Sequence, residues 1–309
     1  MTKAIVTTTI NPPSKAINLY SEKKDWEVYI IGDLITPHEL FRKLEKESKN
    51  VHYLSPEDQD KLYPKLSKAI GWKKIQRRNI GYIEAYKAEA EIVATVDDDN
   101  IPLEGWGEKL LLGREIEVNF YITDIDSFDP VGATNYPNLW HRGYPLQLLS
   151  ERDYKNKTRK KIIADVQADF WNGDPDIDAV CRMEHAPICK FDEKHFPLAS
   201  NKISPFNSQN TFLSRKVLKD YFLFPDIGRM DDIWASFYVQ GLGYKVLYAK
   251  PSVYQDRNMH NLTKDMRGEY LGYEYNLEII QKINEDSNSI FNYLPKSSIK
   301  AFEEYQKYF

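Results

Sequence analysis

Three consecutive carboxylates and an amide, Asp97-Asp98-Asp99-Asn100, follow directly on the apolar run Ile92–Val96. The run is short, β-branched and unalternated, which predicts a buried strand that stops at the carboxylates. Adjacent aspartates repel one another unless a positive charge sits among them. At the carboxyl end of a buried strand a hard divalent cation, Mn²⁺ or Mg²⁺, can supply that charge. Such an ion binds through one or two carboxylates and completes its shell with water and phosphate oxygens. A solvated acidic turn is the plainer alternative. Asp97 and Asp99 are the candidate metal ligands, and His260, in the polar run 255–262, is a third candidate for a metal or a phosphate.

Just upstream, residues 72–82 read Trp-Lys-Lys-Ile-Gln-Arg-Arg-Asn-Ile-Gly-Tyr. The spacing of Ile80, Ile83 and Tyr86 predicts a helix whose start is basic. The helix dipole favours anions at that end, so Arg77 and Arg78 beside the first turn would make a phosphate site. A helix with a basic solvated face is the other reading. Cations next to a metal site are the usual means of holding a nucleotide diphosphate.

Four later stretches carry further chemistry. Residues 137–146 are rich in aromatics and turn formers around Trp140 and Arg142, which suits a lid, a substrate wall or a packed loop. Asp174, Asp176 and Asp178 would share one face of an extended segment. They lack the glycine and glutamate of a helix-loop-helix calcium loop, leaving a substrate-facing or structural role. Asn207, Gln209 and Asn210 bring amides that suit a polyhydroxylated ligand or satisfy a loop backbone. Asp231 and Asp232 open a helix running to Gly241. The dipole favours them there, and one could serve as general base toward an acceptor hydroxyl.

Elements of α/β type must position these groups. Segments 4–10, 26–31, 51–55 and 92–96 read as strands and alternate with helical patterns, with Ser14 as a helix cap. That alternation predicts βαβ units and a mostly parallel sheet. Ligands of such sheets bind beyond the carboxyl ends of the strands, where Asn11, Asp33 and Asp97 to Asp99 all fall. Segment 244–254 is a last strand, and the charged segment 151–161 reads as a solvated helix or excursion. The remainder, 263–309, is helical, with 296–309 a packing or homo-oligomer element.

The chain of 309 residues is 42% hydrophobic, enough for a sizeable core, and its net charge of −4 argues against a nucleic-acid partner. The two cysteines exclude a disulfide scaffold or a structural zinc site. No signal peptide opens the chain, and no apolar stretch approaches the ~20 residues of a transmembrane span. A soluble, cytoplasmic protein is the expectation.

Taken together, the motifs resemble a known family. In order these are Asn11-Pro12-Pro13, Arg78-Asn79-Ile80-Gly81-Tyr82, the Asp97–Asn100 run and Trp140-His141-Arg142-Gly143-Tyr144-Pro145-Leu146. Asp174-Pro175-Asp176-Ile177-Asp178-Ala179, residues 205–211, and Gln255-Asp256-Arg257-Asn258 with His260-Asn261-Leu262 complete the set. The pattern is similar to the STELLO-type glycosyltransferases, and it spans nearly the whole chain. More distantly the chain resembles the reversibly glycosylated polypeptides, which include UDP-arabinopyranose mutases. There the shared pieces are the triple aspartate, Arg142-Gly143-Tyr144-Pro145 and Gly228-Arg229 followed by Asp231-Asp232 and Trp234.

The resemblance implies a GT-A-type, Rossmann-like α/β sandwich with a mixed, mostly parallel central sheet and C-terminal helices. It implies a catalytic domain over 1–261 with a helical extension over 262–309 packed on it. The implied activity is metal-dependent transfer of a sugar from a nucleotide-diphosphate sugar, UDP-linked first of all, to a hydroxyl on a glycan, a lipid-linked acceptor or a protein. Asn11 and Asp33 would face the nucleoside, and Asn79, Asp98, Trp140, Asn207, Gln209 and Asn210 would complete the donor site. Asp232, or Asp231, would be the base. The alternatives are a UDP-sugar mutase with Arg142 as its glycosylated residue, or a non-catalytic nucleotide-sugar-binding scaffold.

Overall fold

The structure, a computed structural model, describes residues 2–256 and 261–309. The first third alternates strands and helices as expected. Its strands are β1 (Lys3–Thr9), β2 (Glu27–Gly32), β3 (Val51–Leu54) and β4 (Ile92–Val96). Its helices are α1 (Lys15–Ser21), α2 (His38–Glu47), α3 (Pro56–Leu62), α4 (Pro64–Ile70) and α5 (Arg78–Lys87). Every residue of β4 is buried, which is why it carries no polar alternation. Ser14 caps α1 by accepting the N–H of Ile17.

The remaining two-thirds adds β5 (Asn100–Pro102), β6 (Glu115–Tyr121), β7 (Lys157–Ile163), β8 (Val166–Gly173), β9 (Leu198–Ser200), β10 (Asn210–Ser214) and β11 (Val246–Gln255). Between and after them lie α6 (Ala179–His185), α7 (Asp231–Gly241), α8 (Leu262–Glu285) and α9 (Lys296–Gln306). The strands form one mixed sheet in the order β3-β2-β1-β4-β10-β8-β11-β9-β6-β7, with β5 paired to β11. From β3 to β4 all neighbours are parallel. The chain order reverses at β1, with β2 on one side and β4 on the other. Crevices for ligands open at such a switch point.

One expectation fails in the middle of the chain. Segment 151–161, read as a solvated helix or excursion, runs instead into a strand, 157–163, which pairs antiparallel with β6 at the sheet's edge. Its charges face solvent or make ion pairs, Arg159 with Glu117 (2.7 Å) and Lys161 with Glu115 (3.0 Å). An edge strand needs no apolar face on its open side, and lysines there discourage pairing with other chains. The expected amphipathic pattern is therefore missing.

Helix α8 begins where the helical extension was expected. Its Ile279, Ile280 and Ile283, with Phe302 and Tyr305 of α9, belong to the same continuous buried core as the sheet. Among the described residues no helix is long and apolar enough to cross a membrane.

Helix α5 lies almost directly on the sheet. A Cβ on Gly81 would stand 2.4 Å from Cγ1 of Val6 and 3.1 Å from Cγ1 of Ile31. Gly81→Ala should therefore destabilise the protein by about 1–3 kcal/mol through overpacking, although alanine is the better helix former. Urea unfolding checks this; an unchanged or higher midpoint would show that α5 can move away from β1 and β2.

Candidate functional site

Beyond the carboxyl ends of β1, β2 and β4 the structure opens a cleft of about 360 Å³. Asn11, Asp33, Asp97 and Asp98 line it, whereas Asp99, the other carboxylate expected at these strand ends, is not among the lining residues. Thr9 Oγ1 and Asn11 Nδ2 both donate to Asp98 Oδ2, at 2.5 and 3.2 Å. Ser14 Oγ donates to the Asp98 carbonyl, and the Tyr20 hydroxyl to the Asn100 carbonyl at 2.9 Å. The acidic turn is thus held from the β1 side through Asp98. Asp33 organises the opposite wall. Its Oδ1 accepts the N–H of Lys73 (3.0 Å) and its Oδ2 the N–H of Lys74 (2.9 Å).

The two arginines expected at a phosphate line the wall but turn their donors into the fold. Arg78 donates through Nη2 to Asp97 Oδ1 (2.6 Å) and through Nη1 to the Ser208 carbonyl (2.9 Å). Arg77 donates to Gln59 Oε1 (2.8 Å), to the Ser67 carbonyl (3.0 Å) and to Ser67 Oγ (3.0 Å), with its guanidinium 3.7 Å above the Trp72 ring. It joins α3 and α4 to the loop before α5, and burial lowers its pKa to about 10. A buried guanidinium needs protein oxygens around it, and the nearby helices supply them. Asn79 is likewise structural: its amide donates to the Leu223 carbonyl (2.9 Å) and accepts the Leu223 N–H (2.9 Å). These placements correct the expectation that Arg77, Arg78 and Asn79 offer their polar atoms to a ligand.

A second polar centre is built around Arg142, which is only 4% exposed. Its Nη1 and Nη2 donate to Asp232 Oδ1 and Oδ2 at 2.9 and 3.0 Å, and its Nε donates to Asp176 Oδ1 at 3.0 Å. Nη1 also donates to the Arg229 carbonyl, so all three guanidinium nitrogens are engaged. Burial alone would lower the arginine's pKa, yet Asp176 and Asp232 hold it above its usual value. Asp232 Oδ2 further accepts the Ser208 N–H (2.9 Å) and hydroxyl (3.2 Å). Ser208 therefore touches both arginine centres.

The other expected sugar-binding residues fall inside the fold. Asn207 donates to Asp176 Oδ2 (2.8 Å) and accepts the Gln209 N–H (3.0 Å). Gln209 Oε1 accepts from Trp171 Nε1 (3.3 Å), and Asn210 bonds the Phe170 carbonyl (3.1 Å) and Trp106 Nε1 (3.0 Å). Trp140 Nε1 donates to Asp178 Oδ2 (2.6 Å), whose other oxygen caps α6. These amides satisfy a buried loop, as buried polar groups must be satisfied. His260 lies outside the described residues.

Sequence reasoning passed over Lys73, Lys74, Ile10, Ile35 and Ile75, all of which line the cleft. Lys73 and Lys74 were visible only as part of a basic run. The three isoleucines, 46% to 63% exposed, rim the opening, and isolated aliphatics in loops carry no sequence signal.

A divalent cation fits the acidic turn by the chemistry of its donors. Among the described residues no group of three metal-binding side chains is gathered, so water and a ligand's oxygens would have to complete the shell. Burial raises the Asp97 carboxyl's pKa, and Asp98 and Asp232 add to the rise even though Arg78 pulls it down. Desolvation is the dominant cause, and the lowering by Arg78 exceeds what Asp98 and Asp232 add. Hard carboxylate oxygens suit Mg²⁺ or Mn²⁺.

No protein-family model matches the chain. It is 23% identical over 285 residues to the probable glycosyltransferase STELLO2 of Arabidopsis thaliana, covering 82% of this chain and 35% of that one. The chain thus spans about a third of the relative's length, and the likeness agrees with the resemblance carried by the motifs. Among solved structures, the mannosyltransferase PcManGT from Pyrobaculum calidifontis, in complex with GDP-Man and Mn²⁺, aligns with TM-score 0.45 at 10% identity, covering 99% of this chain and 69% of that one. Glucosyl-3-phosphoglycerate synthase from Mycobacterium tuberculosis aligns with TM-score 0.46 at 11% identity, covering 90% and 79%. Both alignments are loose.

Two measurements probe the second centre. Arg142→Met leaves Asp176 and Asp232 buried without their cation and should cost about 3–5 kcal/mol in urea unfolding. Adding Asp232→Asn should recover part of that loss. Asp231, next to Asp232, accepts from Gln76 Nε2 (2.7 Å), and burial followed by the Asp232 charge raises its pKa to about 7. In the unfolded chain an aspartate ionises near ~3.9. The folded state therefore binds the extra proton between these values, and this group's contribution to stability falls as pH rises from about 4 to 7. Asp231→Asn should raise the melting temperature at pH 8 and leave it unchanged near pH 4. An equal shift at both pH values would exclude a buried, proton-holding Asp231.

Proposed function

We propose that the chain is a metal-dependent glycosyltransferase, which moves a sugar from a nucleotide-diphosphate sugar, UDP-linked first of all, to a hydroxyl acceptor. The observation that carries this reading is the cleft at the switch point of the parallel strands, floored by Asp97 and Asp98 and rimmed by aliphatic side chains. Its volume lies in the range of small-molecule sites. The likeness to STELLO2 supports the same activity. A GT-A-type catalytic unit over 1–261, with 262–309 packed on it, is part of the proposal.

Asp97 and Asp99 would hold Mn²⁺ or Mg²⁺, whose charge would offset that developing on a leaving diphosphate. Asp98 keeps the turn rigid through Thr9 and Asn11. Ile10, Ile35 and Ile75 offer an apolar seat for a flat base, and Asn11 offers it a polar edge. For an inverting transfer, Asp231 is the better candidate base. Asp232 has both oxygens tied to Arg142 and one also to Ser208, which weakens it as a proton acceptor. Burial and the Asp232 charge raise the Asp231 carboxyl's pKa to about 7; one of its oxygens accepts from Gln76, and neither Asp231 nor Asp232 is among the residues that line the cleft. The mutase alternative needs Arg142 to carry a sugar, and all three guanidinium nitrogens are already bonded within the fold.

Thermal unfolding with UDP, GDP, CDP and their sugars, each with and without Mn²⁺, tests the reading. A nucleotide at ~100 times its dissociation constant adds about 2.7 kcal/mol of stability. The expected result is a Mn²⁺-dependent rise with one diphosphate that is lost in Asp97→Asn and Asp99→Asn. Absence of a rise with every nucleotide would overturn the nucleotide-sugar reading of the cleft. A new UDP-sugar species in an acceptor-free incubation would favour a mutase.

A further inference from the structure

Four cations line the cleft: Lys73, Lys74, Arg77 and Arg78. Three are committed to the protein. Lys74 Nζ donates to Asp226 Oδ1 at 2.5 Å, and Asp226 Oδ2 accepts from Ser297 Oγ at 2.9 Å. Arg77 is bonded to Gln59 and Ser67, and Arg78 to Asp97 and Ser208. Among the described residues, the Lys73 ammonium has no ion pair, hydrogen bond or ring partner.

An exposed lysine needs no partner, so exposure alone carries little. The backbone carries more. Lys73 has φ of +61°, in the left-handed region that side-chain-bearing residues seldom occupy. A glycine would adopt this conformation without strain. The conformation is held from outside the loop: the two oxygens of Asp33 accept the N–H groups of Lys73 and Lys74. Such conformations cluster at functional positions; Glu89, Ala186 and Asp226 also have positive φ, but of the four only Lys73 lines the cleft. The fold therefore fixes the backbone of a lysine at the cleft while leaving its charged end uncommitted.

We propose that Lys73 is the side chain that binds the phosphate groups of the nucleotide, and that Asp33 is a positioning residue acting through it. This rests on the nucleotide reading of the cleft. It moves the phosphate contact from Arg77 and Arg78 to a residue one loop earlier. It also takes Asp33 away from direct nucleoside contact, since both its oxygens accept backbone N–H groups. A lysine is a flexible point charge, so it can follow a diphosphate whose charge changes when the sugar leaves.

The test compares binding of UDP, GDP, CDP and ADP with that of the corresponding nucleosides, by equilibrium titration in Mn²⁺. The variants are Lys73→Gln, Lys73→Gly, Lys73→Arg, Asp33→Asn and the double change Lys73→Gln with Asp33→Asn. Glycine removes the charge but suits the left-handed backbone, so it separates loss of the cation from loss of the loop. For the diphosphate that the wild type binds, glutamine and glycine should weaken affinity about tenfold or more, as loss of a charge-assisted contact does. Nucleoside affinity should stay within twofold, and arginine should restore most of the diphosphate affinity. Asp33→Asn should weaken the diphosphate as well, and the double variant should be no weaker than Lys73→Gln alone. Diphosphate affinity unchanged in both the glutamine and glycine variants, or an equal loss for nucleoside and diphosphate, would overturn the assignment of Lys73. Additive losses in the double variant would overturn the positioning role of Asp33. A wild-type protein that binds no nucleotide would instead overturn the nucleotide reading itself.

Discussion

The carboxyl end of the sheet depends on Ser208, which stands between two buried arginine centres. Its carbonyl and hydroxyl accept from Arg78, which holds Asp97. Its N–H and hydroxyl donate to Asp232, which Arg142 holds together with Asp176. The result is a continuous line of alternating charges, Asp97, Arg78, Asp232, Arg142 and Asp176, with one serine at its joint. Burying such a line brings little net stability, because desolvation offsets most of the Coulomb attraction. It does fix geometry. Each carboxylate can satisfy its cation only if the end of β4, the start of α7 and the loops at 142, 176 and 208 stand in one arrangement.

The C-terminal helices hold that arrangement from behind. Asn276 of α8 accepts from Trp234 Nε1 (2.8 Å) and donates to the Gly143 carbonyl (2.8 Å), joining α7 to the loop that carries Arg142. Glu269 accepts from Arg229 Nε (2.9 Å) and from the Ala179 N–H (2.8 Å). A Cβ on Gly228 would lie 2.1 Å from the Gly268 carbonyl oxygen, so α8 meets the turn before Asp231 backbone to backbone. Segment 262–309 thus holds the carboxylates in position as well as covering the core.

Much of this was legible in the sequence, for identifiable reasons. β4 was readable at both ends because a wholly buried parallel strand leaves an uninterrupted apolar run. Asn11, Asp33 and the acidic turn could be brought to one edge because a parallel sheet aligns its carboxyl ends. The roles of charged residues were less legible. Sequence reveals that Arg78 and Arg142 are cations, but besides Asp97 and Asp176 they bond partners 130 and 90 positions away, at Ser208 and Asp232. The amides at 207, 209 and 210 look alike whether they face a sugar or a buried backbone. The strand β7 hid behind its lysines, because an edge can be charged where a central strand cannot. Lys73 escaped notice because a backbone angle leaves no trace in composition.

The cleft and its lock come from different parts of the chain. Residues that line the cleft fall between positions 8 and 98, whereas Ser208, Asp232 and Asn276 follow more than a hundred residues later. On a ribosome, the parallel half with its local βαβ contacts can form while the rest is still being made. The outline of the cleft is therefore encoded within the first third of the chain, and its rigidity depends on groups from the last third.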